Sequence, residues 1–126
     1  MIEKTLESIL HNLEDHNKKL KDMTPTEIIL WGYENFDNQF AITTSFGIQS
    51  SVILHMVHQY SLEKKIKIFW IDTGYLPSET YKYADRLIND LSLEIEVLQS
   101  ELSPARMESL YGKLWETNQS LSLIHI

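Results

Sequence analysis

The most constraining feature of this sequence is a change of apolar period at Gln39. Before it, apolar residues recur at helical spacing. Residues 6–21 place Leu6, Ile9, Leu10 and Leu13 along one side, continued by His16 or by Lys19 and Leu20. The run Thr24-Pro25-Thr26-Glu27 then reads as a helix start. Thr24 can cap, proline suits the first helical position, and Glu27 stands where a capping box needs a carboxylate. After Gln39, short apolar and β-branched runs at 40–44, 66–71 and 93–98 read as buried strands. Helical patterns at 48–60 and 77–91 separate them, and a short helix is expected over 104–110. Strand alternating with helix predicts an α/β fold, a parallel sheet with flanking helices and right-handed crossovers.

At 126 residues, with 43% hydrophobic and 23% charged side chains, the chain is expected to bury a core of one domain or the larger part of one. No apolar run approaches the roughly 20 residues that span a bilayer, and the start Met1-Ile2-Glu3-Lys4 lacks a signal-peptide pattern. A cytoplasmic location and no membrane association are expected. A net charge of −7 argues against nucleic acid as a partner, while leaving room for a small anion in a local pocket. The sequence contains no cysteine, which excludes thiol catalysis, disulfides and thiolate metal sites within these residues. His55 and His58 have the spacing of a paired metal site, but no third ligand stands near them in sequence; no metal is expected.

In open α/β sheets ligands bind beyond the carboxyl ends of the strands. Two segments fall there. Ser45-Phe46-Gly47-Ile48-Gln49-Ser50 links a strand to a helix N-terminus, whose unpaired N–H groups and dipole suit a phosphate or sulfate. Gly47 would serve by close backbone approach or by a positive φ. Asp72-Thr73-Gly74 closes the second strand, where a carboxylate could accept from a ribose hydroxyl or orient a loop. Each segment, by its residues alone, reads better as an ordinary turn; the two together on one sheet edge bring a nucleotide site level with that reading.

Together with Tyr111-Gly112-Lys113-Leu114-Trp115-Glu116, the S-F-G-I-Q loop and the D-T-G-Y-L-P-x-E-T-Y segment occur here in the order found in phosphoadenylyl-sulfate reductases. The chain resembles that family from about Ile42 to Glu116. The resemblance implies an adenine-nucleotide alpha-hydrolase-like fold, related to the PP-loop pyrophosphatases. Where those read S-G-G-x-D-S, this chain has Phe46 and Gln49 in place of a glycine and the aspartate. Ser45, Phe46, Gly47, Ile48, Gln49, Ser50, Asp72, Thr73 and Gly74 are the substrate-binding residues that the resemblance implies.

The implied activity is the thiol-dependent reduction of 3′-phosphoadenylyl sulfate to sulfite and adenosine 3′,5′-bisphosphate, in sulfate assimilation. It needs no cofactor. A cysteine near the family's C-terminus is the nucleophile, thioredoxin or glutaredoxin is the reductant, and a homodimer is left open. This sequence departs from the pattern by ending shortly after Glu116, before the arginine-rich segment and the E-C-G-L-H-type tail. It is therefore expected to be truncated and to lack turnover by itself. The implied organisation is a helical extension at 1–38, a partial nucleotide-binding domain at 39–120, and translated sequencing adapter at 121–126. Two alternatives stay open: the adenylyl-sulfate reductase branch, and a non-catalytic nucleotide-binding module.

Overall fold

The computed structural model describes residues 2–61 and 66–117. Its elements are α1 (Ile2–His11), α2 (Leu13–Lys21), α3 (Pro25–Phe36), a 3-10 turn (Asp37–Gln39), β1 (Ala41–Thr44), α4 (Ser50–Ser61), β2 (Lys67–Asp72), α5 (Ser78–Asp90), β3 (Ile95–Gln99), α6 (Pro104–Tyr111) and α7 (Leu114–Thr117). The fold is α/β. Its three-stranded sheet has the order β1-β2-β3, and β2 and β3 run parallel with Ile68 opposite Ile95 and Asp72 opposite Gln99. No helix among the described residues is long and apolar enough to cross a membrane. The expected tail at 121–126 lies outside the described residues.

Two compact units divide the chain. One draws on Met1–Ile42 and Val52–Lys67, the other on Thr43–Ser51 and Ile68–Ile126. In the first, the single helix expected over 6–21 is instead two, α1 and α2, interrupted at Asn12 (φ −111°, ψ 27°). The Asn12 side-chain amide donates to the Ser8 carbonyl at 3.3 Å. Asparagine competes in this way with the helical backbone for hydrogen bonds, which the apolar period does not reveal. The start of α3 forms as the sequence predicts. Thr24 Oγ1 accepts from the Glu27 N–H, and the Glu27 carboxylate accepts from the Thr24 N–H at 2.7 Å. Buried apolar residues in this unit include Ile9, Ile29, Leu54, Val57 and Ile66. Trp31 lies between His16 and Phe36, with ring centroids 5.6 and 6.1 Å away.

The second unit buries Phe46, Ile68, Trp70, Ala84 and Leu93, together with two polar residues, Thr44 and Asp72. Along β2 the even-numbered residues Ile68, Trp70 and Asp72 are buried, while Lys67 and Ile71 are exposed. This is the alternation that a strand imposes on its two faces. It carries Asp72 onto the same face as the aromatic core.

Candidate functional site

Thr44 ends β1, and the six residues to Ser50 make the loop that opens α4. Thr44 Oγ1 accepts from the Phe46 N–H at 3.1 Å. Phe46 has φ 54°, a left-handed conformation that costs a non-glycine residue roughly 1–2 kcal/mol. The compensation lies in its ring. Phe46 is 4% exposed and meets Trp70 edge-on, with centroids 4.9 Å apart. Such pairs gain beyond simple area burial. Of the two roles open to Gly47, the positive φ is not the one it fills; that conformation falls to Phe46. A Cβ at Gly47 would meet only the Ser45 hydroxyl, at 3.7 Å, so its outward side is open.

Beyond the anchor, Ser45, Gly47, Ile48 and Gln49 are exposed, and Ser50 is half-buried. Ile48, at 95%, projects almost wholly into solvent. Ser50 N–H donates to the Gly47 carbonyl at 2.9 Å, which winds the loop into the first turn of α4. That turn contains no acidic residue. The positive end of the helix dipole is therefore not offset by a carboxylate in that turn, which suits an anion.

The second loop is built differently. Asp72 is 7% exposed and both of its carboxylate oxygens are occupied. Oδ1 accepts from the Gly74 N–H at 2.8 Å and from the Tyr81 hydroxyl at 2.7 Å. Oδ2 accepts from the Gln99 side-chain amide at 2.8 Å. Burial pushes the carboxyl up, but the Tyr81, Gly74 and Gln99 donors outweigh it and hold Asp72 below the usual carboxylate range. Correspondingly, the bond to Asp72, with burial and the carboxylate charge, raises the Tyr81 hydroxyl above the ordinary phenol range. Thr73 Oγ1 accepts from the Tyr75 N–H at 3.3 Å, and Gly74 takes φ 75°. A Cβ at Gly74 would stand 2.6 Å from Pro104 Cγ, so α6 closes over this glycine as it does not over Gly47.

The residues expected at the site thus divide by what they offer. Ser45, Gly47, Ile48, Gln49 and Ser50 present surface, and Thr73 is half-buried beside Gly74. Phe46 and Asp72 are buried supports. Both segments belong to the second unit. Sequence reasoning missed two supports. Tyr81 was in view as the last letter of the D-T-G-Y-L-P-x-E-T-Y run, and Gln99 lies one residue past the expected third strand. Only the parallel register sets Gln99 opposite Asp72.

Three comparisons place this architecture among known proteins. The family model for the phosphoadenosine phosphosulfate reductase domain matches residues 39–126. A phosphoadenosine 5′-phosphosulfate reductase of Synechococcus sp. is 48% identical over 110 residues, covering 87% of this chain and 47% of the relative. Its counterpart in Synechocystis sp. is 50% identical over 105 residues, covering 83% and 41%. The chain thus spans about half the length of the curated relatives it matches. Among solved structures, phosphoadenylyl-sulfate reductase from Candida auris, as its phosphate complex, superposes with a TM-score of 0.70 at 28% identity. That match covers 85% of this chain and 53% of the other. With the strand-end loops in place and the family model spanning both of them, this chain belongs to the phosphoadenosine phosphosulfate reductase domain family.

Proposed function

We propose that this chain supplies the nucleotide-holding part of a thiol-dependent reductase of 3′-phosphoadenylyl sulfate, acting in sulfate assimilation. The observation that carries the reading is the exposed, acid-free helix start at 45–50 in a member of this family. Ser45, Gly47, Gln49 and Ser50 would face the phosphosulfate or its neighbouring phosphate through hydroxyl, amide and backbone donors. Ile48, exposed as it is, would lose its water contact beneath the ligand, at about 25 cal/mol per Å² covered. Thr73 and Gly74 would flank the nucleotide, with Phe46 and Asp72 holding the two loops from behind. The phosphate complex of the Candida auris enzyme supports an anion in such an architecture.

The chemistry needs a thiolate, and these 126 residues contain no cysteine. It would come from sequence beyond them. Attack on the sulfonate sulfur forms an S–S bond and breaks the bond from sulfur to the phosphate oxygen, releasing adenosine 3′,5′-bisphosphate. A dithiol of the thioredoxin or glutaredoxin type then attacks the resulting S-sulfocysteine. Sulfite leaves with the electron pair and the dithiol becomes a disulfide.

The test is sulfite release. Polypeptide of this sequence, given phosphoadenylyl sulfate and reduced thioredoxin, is expected to release none above a protein-free control, and the full-length protein is expected to release it. A full-length protein that binds adenosine 3′,5′-bisphosphate without releasing sulfite would replace the reductase reading with a binding module. Preference for adenylyl sulfate as substrate would move the protein to the other branch.

A further inference from the structure

Tyr81 touches one support of the site, Asp72, directly, and reaches the other, Phe46, through Trp70. Its ring lies 5.8 Å from Trp70, whose other neighbour is Phe46, the anchor of the first loop. Its hydroxyl donates to Asp72 Oδ1, the oxygen that also holds the Gly74 N–H of the second loop. The path Phe46–Trp70–Tyr81–Asp72–Gly74 is thus continuous, and all of it lies in the second unit. Tyr81 itself is half-buried on α5 and belongs to neither loop.

We infer that Tyr81 is a positioning residue that keeps the two nucleotide loops in register, its ring steadying the first and its hydroxyl the second. The inference rests on the nucleotide reading above. A purely structural tyrosine would lower stability when altered, with no selective effect on ligand and no link to Phe46. A residue that sets the spacing of two loops has a different signature. Loss of its hydroxyl removes one of the three donors that hold Asp72, the acceptor of the Gly74 N–H, and leaves the ring contact with Trp70, so binding falls while the fold persists. Packing networks of this kind also make neighbouring substitutions non-additive.

The experiment uses the full-length protein, with adenosine 3′,5′-bisphosphate as the probe, in wild type, Tyr81→Phe, Phe46→Leu and the double variant. Calorimetry is expected to show about tenfold weaker binding in Tyr81→Phe, the scale of one hydrogen bond to a charged acceptor. Nitrogen-15 spectra should show the Gly74 amide moved and the Gly47 amide in place. The double variant should depart from additivity by roughly threefold or more. Unchanged affinity in Tyr81→Phe, an unmoved Gly74 amide, or additive losses in the cycle would each overturn the inference. Should Phe46→Leu not fold, the Tyr81→Phe affinity and the Gly74 amide still decide it. Absence of binding by the wild type is a distinct result: it would remove the nucleotide reading itself, and this inference with it.

Discussion

The two strand-end loops of the second unit solve the same problem by opposite means. The loop after β1 is fastened by an apolar anchor, Phe46 against Trp70, and leaves its polar tip exposed. The loop after β2 is fastened by a buried charge, Asp72, whose oxygens are both taken up within the protein. The helix starts differ accordingly: α4 has no acidic residue in its first turn, and α5 has Glu79. Of the two helix starts, the first is therefore the better suited to a negative ligand. One loop is arranged to offer donors and the other to hold its own shape. The Asp72 carboxylate stays ionised, held by three neutral donors, and serves the shape of its own loop.

The largest expected effect breaks the apolar anchor. Phe46→Ala should cost about 3–5 kcal/mol of stability, the usual range for emptying a buried phenylalanine site. Relief of the left-handed backbone strain would not offset it, because alanine also has a Cβ. Urea denaturation of the full-length protein checks this. A loss below about 1 kcal/mol would mean that the first loop is not held by its ring.

A pair of glycine substitutions sharpens the contrast. Gly74→Ala should destabilise by at least roughly 1–2 kcal/mol, since φ 75° disfavours any Cβ and Pro104 crowds the position. Gly47→Ala should stay within about 0.5 kcal/mol of wild type, because its Cβ enters open space. Its effect should appear in affinity for adenosine 3′,5′-bisphosphate, where a methyl group stands between backbone and ligand. Thermal melts and calorimetry on the two variants separate the outcomes. Equal loss of stability in both would erase the distinction between an offering loop and a self-held one.

The smallest effect is one of pH. The Asp72 carboxyl is depressed in the fold, so its stabilising contribution is complete above the ordinary carboxylate value, about 4 in an unfolded chain. It is lost as pH falls through the still lower value of the folded state. Stability measured in urea from pH 7 downward should therefore hold through pH 5 as far as this group is concerned, and decline below about pH 4. In Tyr81→Phe the decline attributable to Asp72 should be shallower, because one donor that depresses the group is gone. An acid limb of identical shape in the two proteins would show that the Tyr81 bond contributes nothing to the carboxylate.

The order of elements was legible because strands and helices leave different periods, and the β1, β2 and β3 runs are short, apolar and separated by amphipathic stretches. The Thr24–Glu27 start was legible because a capping box is local. What escaped was non-local or went against local preference. A period cannot show the break at Asn12, since Ile9, Leu10 and Leu13 keep their spacing across it. No rule of propensity selects a bulky aromatic for a left-handed position beside a glycine; only the burial of the Phe46 ring explains it. Asp72 could be singled out as a strand-end carboxylate, but its partner Gln99 is 27 residues away and depends on register. At the site, the resemblance to the family named the two loops, and the structure distinguishes the residues that present surface from those that stand behind them.

Trp70 gives the molecule an optical consequence. Its indole is buried, packed against Phe46 on one side and Tyr81 on another, and its N–H has no hydrogen-bond partner among the described residues. An indole so enclosed emits at short wavelength, and its fixed ring neighbours give it a near-ultraviolet dichroism that a mobile tryptophan lacks. Any shift of the first loop must slide the Phe46 edge across that ring, and any loosening of the second must turn the Tyr81 face. The same aromatic cluster that fastens the loops can therefore report their movement as a colour change, without a label.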